Sequence, residues 1–241
     1  MCIVTDEIGK LDCAWQEIMQ TGTADAAAKN LDGLLEGQNF HPSICAAFRP
    51  FKCLKPSDVK VVIVGQDPYP CYRNATGLAF SLPPDVEIGT LCPGGESKCA
   101  RFPSNCPSKS QNAQCVQYIL QAIQKDIGGV MPSNGNLEYL AKQGVLLMNA
   151  SFTYPKQTEW HNFSREIIRA LSEKHKCLVF MLWGGDAKSV GNHICQNNGH
   201  KILCAPHPAS RGAHRNRFLN CKHFSAANEF LGHDRQITWL P

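Results

Sequence analysis

Four short runs of almost uninterrupted apolar residues constrain this chain more than any other feature. They lie at residues 59–64, 144–149, 177–183 and 201–205. Runs of this kind suit strands that are covered on both faces. Helix-like stretches fall between them, at residues 114–127, 137–142, 163–175 and 187–197. Strands alternating with helices predict an α/β fold, with a central four-stranded parallel sheet and helices on both faces, a three-layer α/β/α arrangement. A chain of 241 residues can bury such a core without help. It is read as a single domain spanning 1–241, with a helical N-terminal region, 1–56, packed against the sheet. Proline and glycine crowd the stretch from Leu82 to Asn112, so a Pro/Cys-rich loop insertion is expected at about residues 83–106.

Composition narrows the function classes. No run approaches the roughly 18 apolar residues that a membrane-spanning helix needs. The acidic first ten residues lack the apolar stretch of a secretory signal peptide. Thirteen cysteines with no Cys-x-x-Cys pair argue against the common zinc and redox layouts. Free thiols in a reducing compartment, nucleus or cytoplasm, are expected. The net charge of +4 is unevenly spread. Residues 1–36 carry a net of −5, whereas residues 201–223 hold five lysines and arginines, three histidines and no acid. A basic segment of that density suits a polyanion such as nucleic acid, although a solvated basic face is the simpler alternative.

The chemistry-bearing residues follow the C-terminal ends of the expected strands, where open parallel sheets place their ligand crevice. Gly65-Gln66-Asp67-Pro68-Tyr69-Pro70 follows the first strand, Asn149 ends the second, and Pro206-His207-Pro208 follows the fourth. Asp67 can activate water, Asn149 can recognise a planar amide ring, and His207 can stabilise an anion. Each has a structural alternative: a turn carboxylate, a loop amide and a satisfied loop histidine. Their recurrence at successive strand ends is more specific than any one of them.

These residues match a known family. The chain resembles the family-1 uracil-DNA glycosylases through Gly65-Gln66-Asp67-Pro68-Tyr69, Gly77-Leu78-Ala79-Phe80-Ser81, Gly144 to Asn149, Leu182-Trp183-Gly184 and His207-Pro208. The resemblance covers roughly three quarters of the chain and implies a base-flipping hydrolase of base excision repair that leaves an abasic site. It assigns Asp67 and His207 to catalysis. Gln66, Tyr69, Phe80 and Asn149 would bind the base, with Tyr69 excluding the methyl group of thymine and Phe80 stacking on the ring. Pro107, Ser108, Gly184, Gly185, Ser210, Arg211 and Arg215 would contact DNA. No metal and no cofactor are implied. The implied partners are uracil-containing single- and double-stranded DNA, with proteinaceous glycosylase inhibitors or replication proteins as candidate protein partners, and no membrane.

The departures concern the DNA grip. The family's His-Pro-Ser-Pro-Leu loop reads His207-Pro208-Ala209-Ser210-Arg211, so Arg211 stands where a leucine wedge is usual. The Gly-Ser loop reads Gly184-Gly185, and the histidine-bearing stretch after the asparagine strand is shortened to 154–159. The chain therefore reads as a divergent member, with a viral one among the options. The rival reading is a non-catalytic DNA-binding or replication-scaffold protein that retains the glycosylase fold.

Overall fold

The computed structural model describes residues 3–88 and 114–241. Most of the predicted insertion, together with Pro107 and Ser108, lies outside the described residues. Four parallel strands form one sheet: β1 (Val61–Gly65), β2 (Val145–Asn149), β3 (Val179–Trp183) and β4 (Lys201–Ala205). Their spatial order is β2-β1-β3-β4, with Val61 opposite both Val145 and Val179. The expected fold class is the one observed.

Strand periodicity divides the sheet between two cores, because successive side chains point to opposite faces. Val62, Val64, Leu146, Met148, Phe180 and Leu182 enter one. Val61, Ile63, Val145, Leu147, Val179, Met181 and Trp183 enter the other. The first core is closed by the N-terminal helices α1 (Val4–Ile8), α2 (Cys13–Met19), α3 (Gly22–Leu35), α4 (Ile44–Ala47) and α5 (Arg49–Cys53). It also takes the apolar face of a later helix, on which Trp160, Phe163, Ile167, Ile168 and Leu171 recur at helical spacing. The second core holds Val116, Ile119, Leu120 and Ile123 from α6 (Gln114–Ile127). The short α7 (Glu138–Ala141) lies between α6 and β2 in the chain, and the later helix just described is α8 (Trp160–Lys174).

Two expectations need correction. The fourth strand is not covered on both faces: β4 is an edge strand, with Lys201 and Cys204 exposed and Ile202 and Leu203 half-buried. An edge strand with charge on it tolerates solvent on one side. The helix expected at 187–197 is α9 (Gly185–Gly191), followed by a separate 3-10 turn at Gln196–Asn198. Gly191 packs so tightly on Leu182 that a Cβ would lie 2.3 Å from its Cδ1, and the Cys195 N–H is taken by the Ser172 hydroxyl at 2.9 Å. Beyond β4 lie α10 (Ala213–Leu219) and α11 (His223–Leu231), which complete the second face. Apart from Cys71, the described cysteines are free thiols. Among the described residues no helix is long and apolar enough to cross a membrane.

Candidate active site

The tips of β1 and β2 are locked together beyond the strands themselves. Ala150 N–H donates to the Gly65 carbonyl and Ser151 N–H to the Gln66 carbonyl, both at 2.9 Å. Gly65 sits opposite Asn149, and a Cβ at Gly65 would lie 2.3 Å from the Asn149 Oδ1. Only glycine leaves that amide its place. Asn149 is buried, yet its side-chain amide has no hydrogen-bond partner among the described residues. The residue lines a cavity, so its free amide can pair with a ligand there.

A cavity of about 100 Å³ opens at this point, lined by Asp67, Tyr69, Phe80, Cys115, Asn149 and His207 with the turn at residues 75–78. Ala79 N–H donates to the Leu147 carbonyl at 3.0 Å and fixes that turn to β2. Phe80 adopts a positive φ of 62°, a left-handed conformation that costs a bulky residue about 1–2 kcal/mol. The Tyr69 hydroxyl donates to the Phe80 carbonyl at 2.8 Å and holds it there. Behind the Phe80 ring stands Trp183, with centroids 5.7 Å apart. The Trp183 indole N–H donates to Nδ1 of His223 at 3.0 Å, and burial lowers the His223 pKa to about 4, so the acceptor is the neutral imidazole.

Asp67 is half-buried at the cavity mouth, and desolvation raises its pKa to about 6. The charge of Lys156 opposes that rise and the charge of Asp186 adds to it. Burial also lowers the pKa of His207, against the pull of Asp186. The nearby charge acting on it is thus an acid, and desolvation, not the basic segment, keeps the imidazole neutral. Ala209 N–H donates to the His207 Nδ1 at 3.2 Å, which places the proton of the neutral ring on Nε2. The two rings Phe80 and His207 lie 5.9 Å apart.

The loop that carries His207 is braced from three sides. Gly184 N–H donates to the Ala205 carbonyl at 3.1 Å, and Ser210 N–H to the His207 carbonyl at 2.9 Å. The third brace is Arg215, whose Nε donates to the Ser210 carbonyl at 3.0 Å and whose guanidinium lies 4.6 Å from the centre of the Tyr118 ring. Arg215 thus holds protein contacts through its Nε and its guanidinium face, whereas Arg211 is exposed with no partner among the described residues. A shallow groove of about 380 Å³ runs from His207 along Gly184, Gly185, Lys188, Ser210, His214 and Arg217.

The structure therefore brings Asp67, Tyr69, Phe80, Asn149 and His207 to one cavity, with Gly184, Gly185 and Ser210 on the adjoining groove. Gln66 sits at the strand tip but outside the lining of the cavity. Sequence reasoning missed Cys115, Lys156, Asp186 and Lys188. Cys115 starts α6 and reaches the cavity, and burial pushes its thiol up to about 12, so it stays protonated. The available signal for Cys115 was its position at the head of an amphipathic helix, and for Asp186 and Lys188 their place just after a strand end. Among the described residues no cluster of histidine, cysteine and carboxylate side chains is arranged to hold a metal ion.

Comparison with known proteins identifies the family. The chain is 36% identical over 215 residues to a uracil-DNA glycosylase of Serratia proteamaculans, covering 85% of this chain and 83% of the relative. It is 37% identical over 203 residues to a uracil-DNA glycosylase of Haemophilus influenzae, covering 81% of each. Among solved structures, mimivirus uracil-DNA glycosylase superposes with a TM-score of 0.67 at 21% identity, covering 99% of this chain and 87% of the other. A mimivirus variant in complex with UGI gives 0.69 at 23% identity, covering 94% and 86%. At those identities the superpositions speak for the fold alone. Residues 51–232 match the model of the Uracil DNA glycosylase superfamily, and the chain belongs to that superfamily.

Proposed function

We propose that this chain excises uracil from DNA by hydrolysing the N-glycosidic bond, leaving an abasic site for base excision repair, and that Asp67, Asn149 and His207 carry the reaction. The observation that carries this reading is the pair of open polar side chains at the cavity. Neither the Asn149 amide nor the Asp67 carboxylate has a hydrogen-bond partner among the described residues. A flipped uracil supplies partners for the amide, since its N3–H can donate to the Asn149 oxygen and its O4 can accept from the Asn149 nitrogen. Cytosine reverses that pattern and leaves both groups unpaired, an error that sites of this type reject strongly.

The bond between N1 and the sugar breaks with its electron pair moving into the uracil ring, and the charge collects on O2. The Nε2–H of neutral His207 donates to that oxygen as the charge develops. Ionised Asp67 balances the cationic sugar and takes a proton from the water that attacks it. Phe80 offers a face for stacking, and Tyr69 fills the side on which thymine carries its methyl group. Lys188, Arg211, His214 and Arg217 are exposed, and among the described residues none is ion-paired. They supply the phosphate-facing surface, with backbone from Gly184, Gly185 and Ser210. Arg215 acts through the loop that it braces. Single- and double-stranded DNA are both substrates of this reading, and the same basic surface suits an inhibitor protein that imitates DNA. The test is release of uracil from single-stranded and duplex oligonucleotides of one sequence. Release from both supports the reading, and tight binding without release would favour a non-catalytic DNA-binding role.

A further inference from the structure

We infer that the Lys156–Asp186 ion pair, which ties together the loops on either side of Asp67, tunes the charge of that carboxylate. The topology carries the argument. β1, which presents Asp67, lies between β2 and β3. Lys156 belongs to the loop that follows β2, and Asp186 to the first turn of α9, which follows β3. Their side chains meet at 2.8 Å, so the pair joins the connections on both sides of the β1 tip. Both partners are roughly one-quarter exposed, at 29% and 26%, too dry to be a fully solvated surface pair.

The two charges act on Asp67 in opposite senses, Lys156 favouring the ionised carboxylate and Asp186 the protonated one. Arg165 and Glu159 act on His161, but only Lys156 and Asp186 among the described charges act on Asp67, and the other groups lining the site are neutral at neutral pH. Cys115, at the head of α6, stays protonated, and burial holds His207, beyond β4, below its usual value. His161, on the first turn of α8, feels both members of the pair and is also held low by burial. Lys156 and Asp186 are therefore the charged side chains that tune Asp67 among the described residues.

This inference rests on Asp67 as the water-activating carboxylate, and the experiment separates the two. Uracil release is measured as kcat/KM against pH on a single-stranded substrate, for the parent, Lys156→Met, Lys156→Arg, Asp186→Asn and His161→Gln. The parent is expected to lose activity as pH falls through about 6, following Asp67. Lys156→Met should move that limb up by about half a pH unit, and Asp186→Asn should move it down by a similar amount. Lys156→Arg and His161→Gln should leave it in place. A pair that merely pins two loops together would lower the rate or the melting temperature in both variants with the limb unmoved. An unmoved limb, shifts of the same sign, or an equal shift in His161→Gln would overturn the inference. Absence of any acidic limb in the parent would instead overturn the role of Asp67.

Discussion

The two ends of the sheet hold very different hollows. At the C-terminal ends of the strands the cavity measures about 100 Å³ and meets an aspartate, an asparagine and a histidine. At the N-terminal ends a cleft of about 1090 Å³ is lined by Lys10, Lys52, Lys55, Lys60 and Lys142. The larger hollow has more charge, yet most of that charge is used. Lys10 and Lys52 both meet Glu7, Lys55 lies 3.8 Å from Asp12, and Lys142 lies 3.8 Å from Glu138. In the smaller hollow the polar groups are desolvated and face an empty space. Reactivity follows open hydrogen-bonding capacity in a dry place, not size or the number of charges.

Removing the carboxylate should break the small hollow most severely. Asp67→Asn is expected to retain DNA binding while slowing uracil release by about 10²–10⁴-fold, measured by single-turnover excision beside a binding titration. The same variant should be more stable than the parent at pH 7. The folded pKa of Asp67, about 6, lies above its usual 3.8, so between these values the folded state holds the extra proton. Stability then falls as pH rises through that window, and the ionised side chain remains a penalty at pH 7. Asparagine removes it, a gain of about 1–2 kcal/mol after discounting for partial exposure that should vanish in thermal melts at pH 4.

His207→Leu comes next, with an expected loss of about 10²–10³-fold in release, the size of one donor to a developing anion. Tyr69→Ala should admit thymine weakly while uracil release persists, read from free thymine in a product assay. If no thymine appears, exclusion at C5 is not steric. Arg211→Ala should slow release from duplex several-fold more than from single strands, since only the duplex has a stack to hold open. It should also reduce the salt dependence of binding by about one counterion. The opposite end of the sheet supplies the smallest effect: Lys55→Ala should leave kcat/KM unchanged on both substrates. A loss there comparable to that at Arg211 would mean that the large cleft also engages DNA.

Much of the small hollow was legible because strand ends are legible. The apolar runs fix where β1, β2 and β4 stop, and the residues just past those points, Asp67, Asn149 and His207, converge by topology. What escaped depends on contacts between loops that sequence does not place side by side. Lys156 and Asp186 are 30 residues apart and meet only because β2 and β3 flank β1. Arg215 reads as one more cation in a basic segment, and only its contacts with Ser210 and Tyr118 distinguish a brace from a phosphate ligand. The exposure of β4 was hidden for a similar reason. Ile202 and Leu203 are apolar enough for a central strand, and edge position is a property of the whole sheet.

The hydrogen bond from Tyr69 to the Phe80 carbonyl has a consequence for how this pocket can evolve. The side chain proposed to close the C5 side of the cavity is also the clasp on the residue proposed as the stacking platform. Under that proposal, selectivity and platform are linked through one hydroxyl. A smaller residue at position 69 that makes room for a methyl group also releases a left-handed backbone from its tether, and the platform loosens as the gate opens. If Tyr69 has that role, lineages that broaden base choice at this position would need a second change near Phe80 to recover speed.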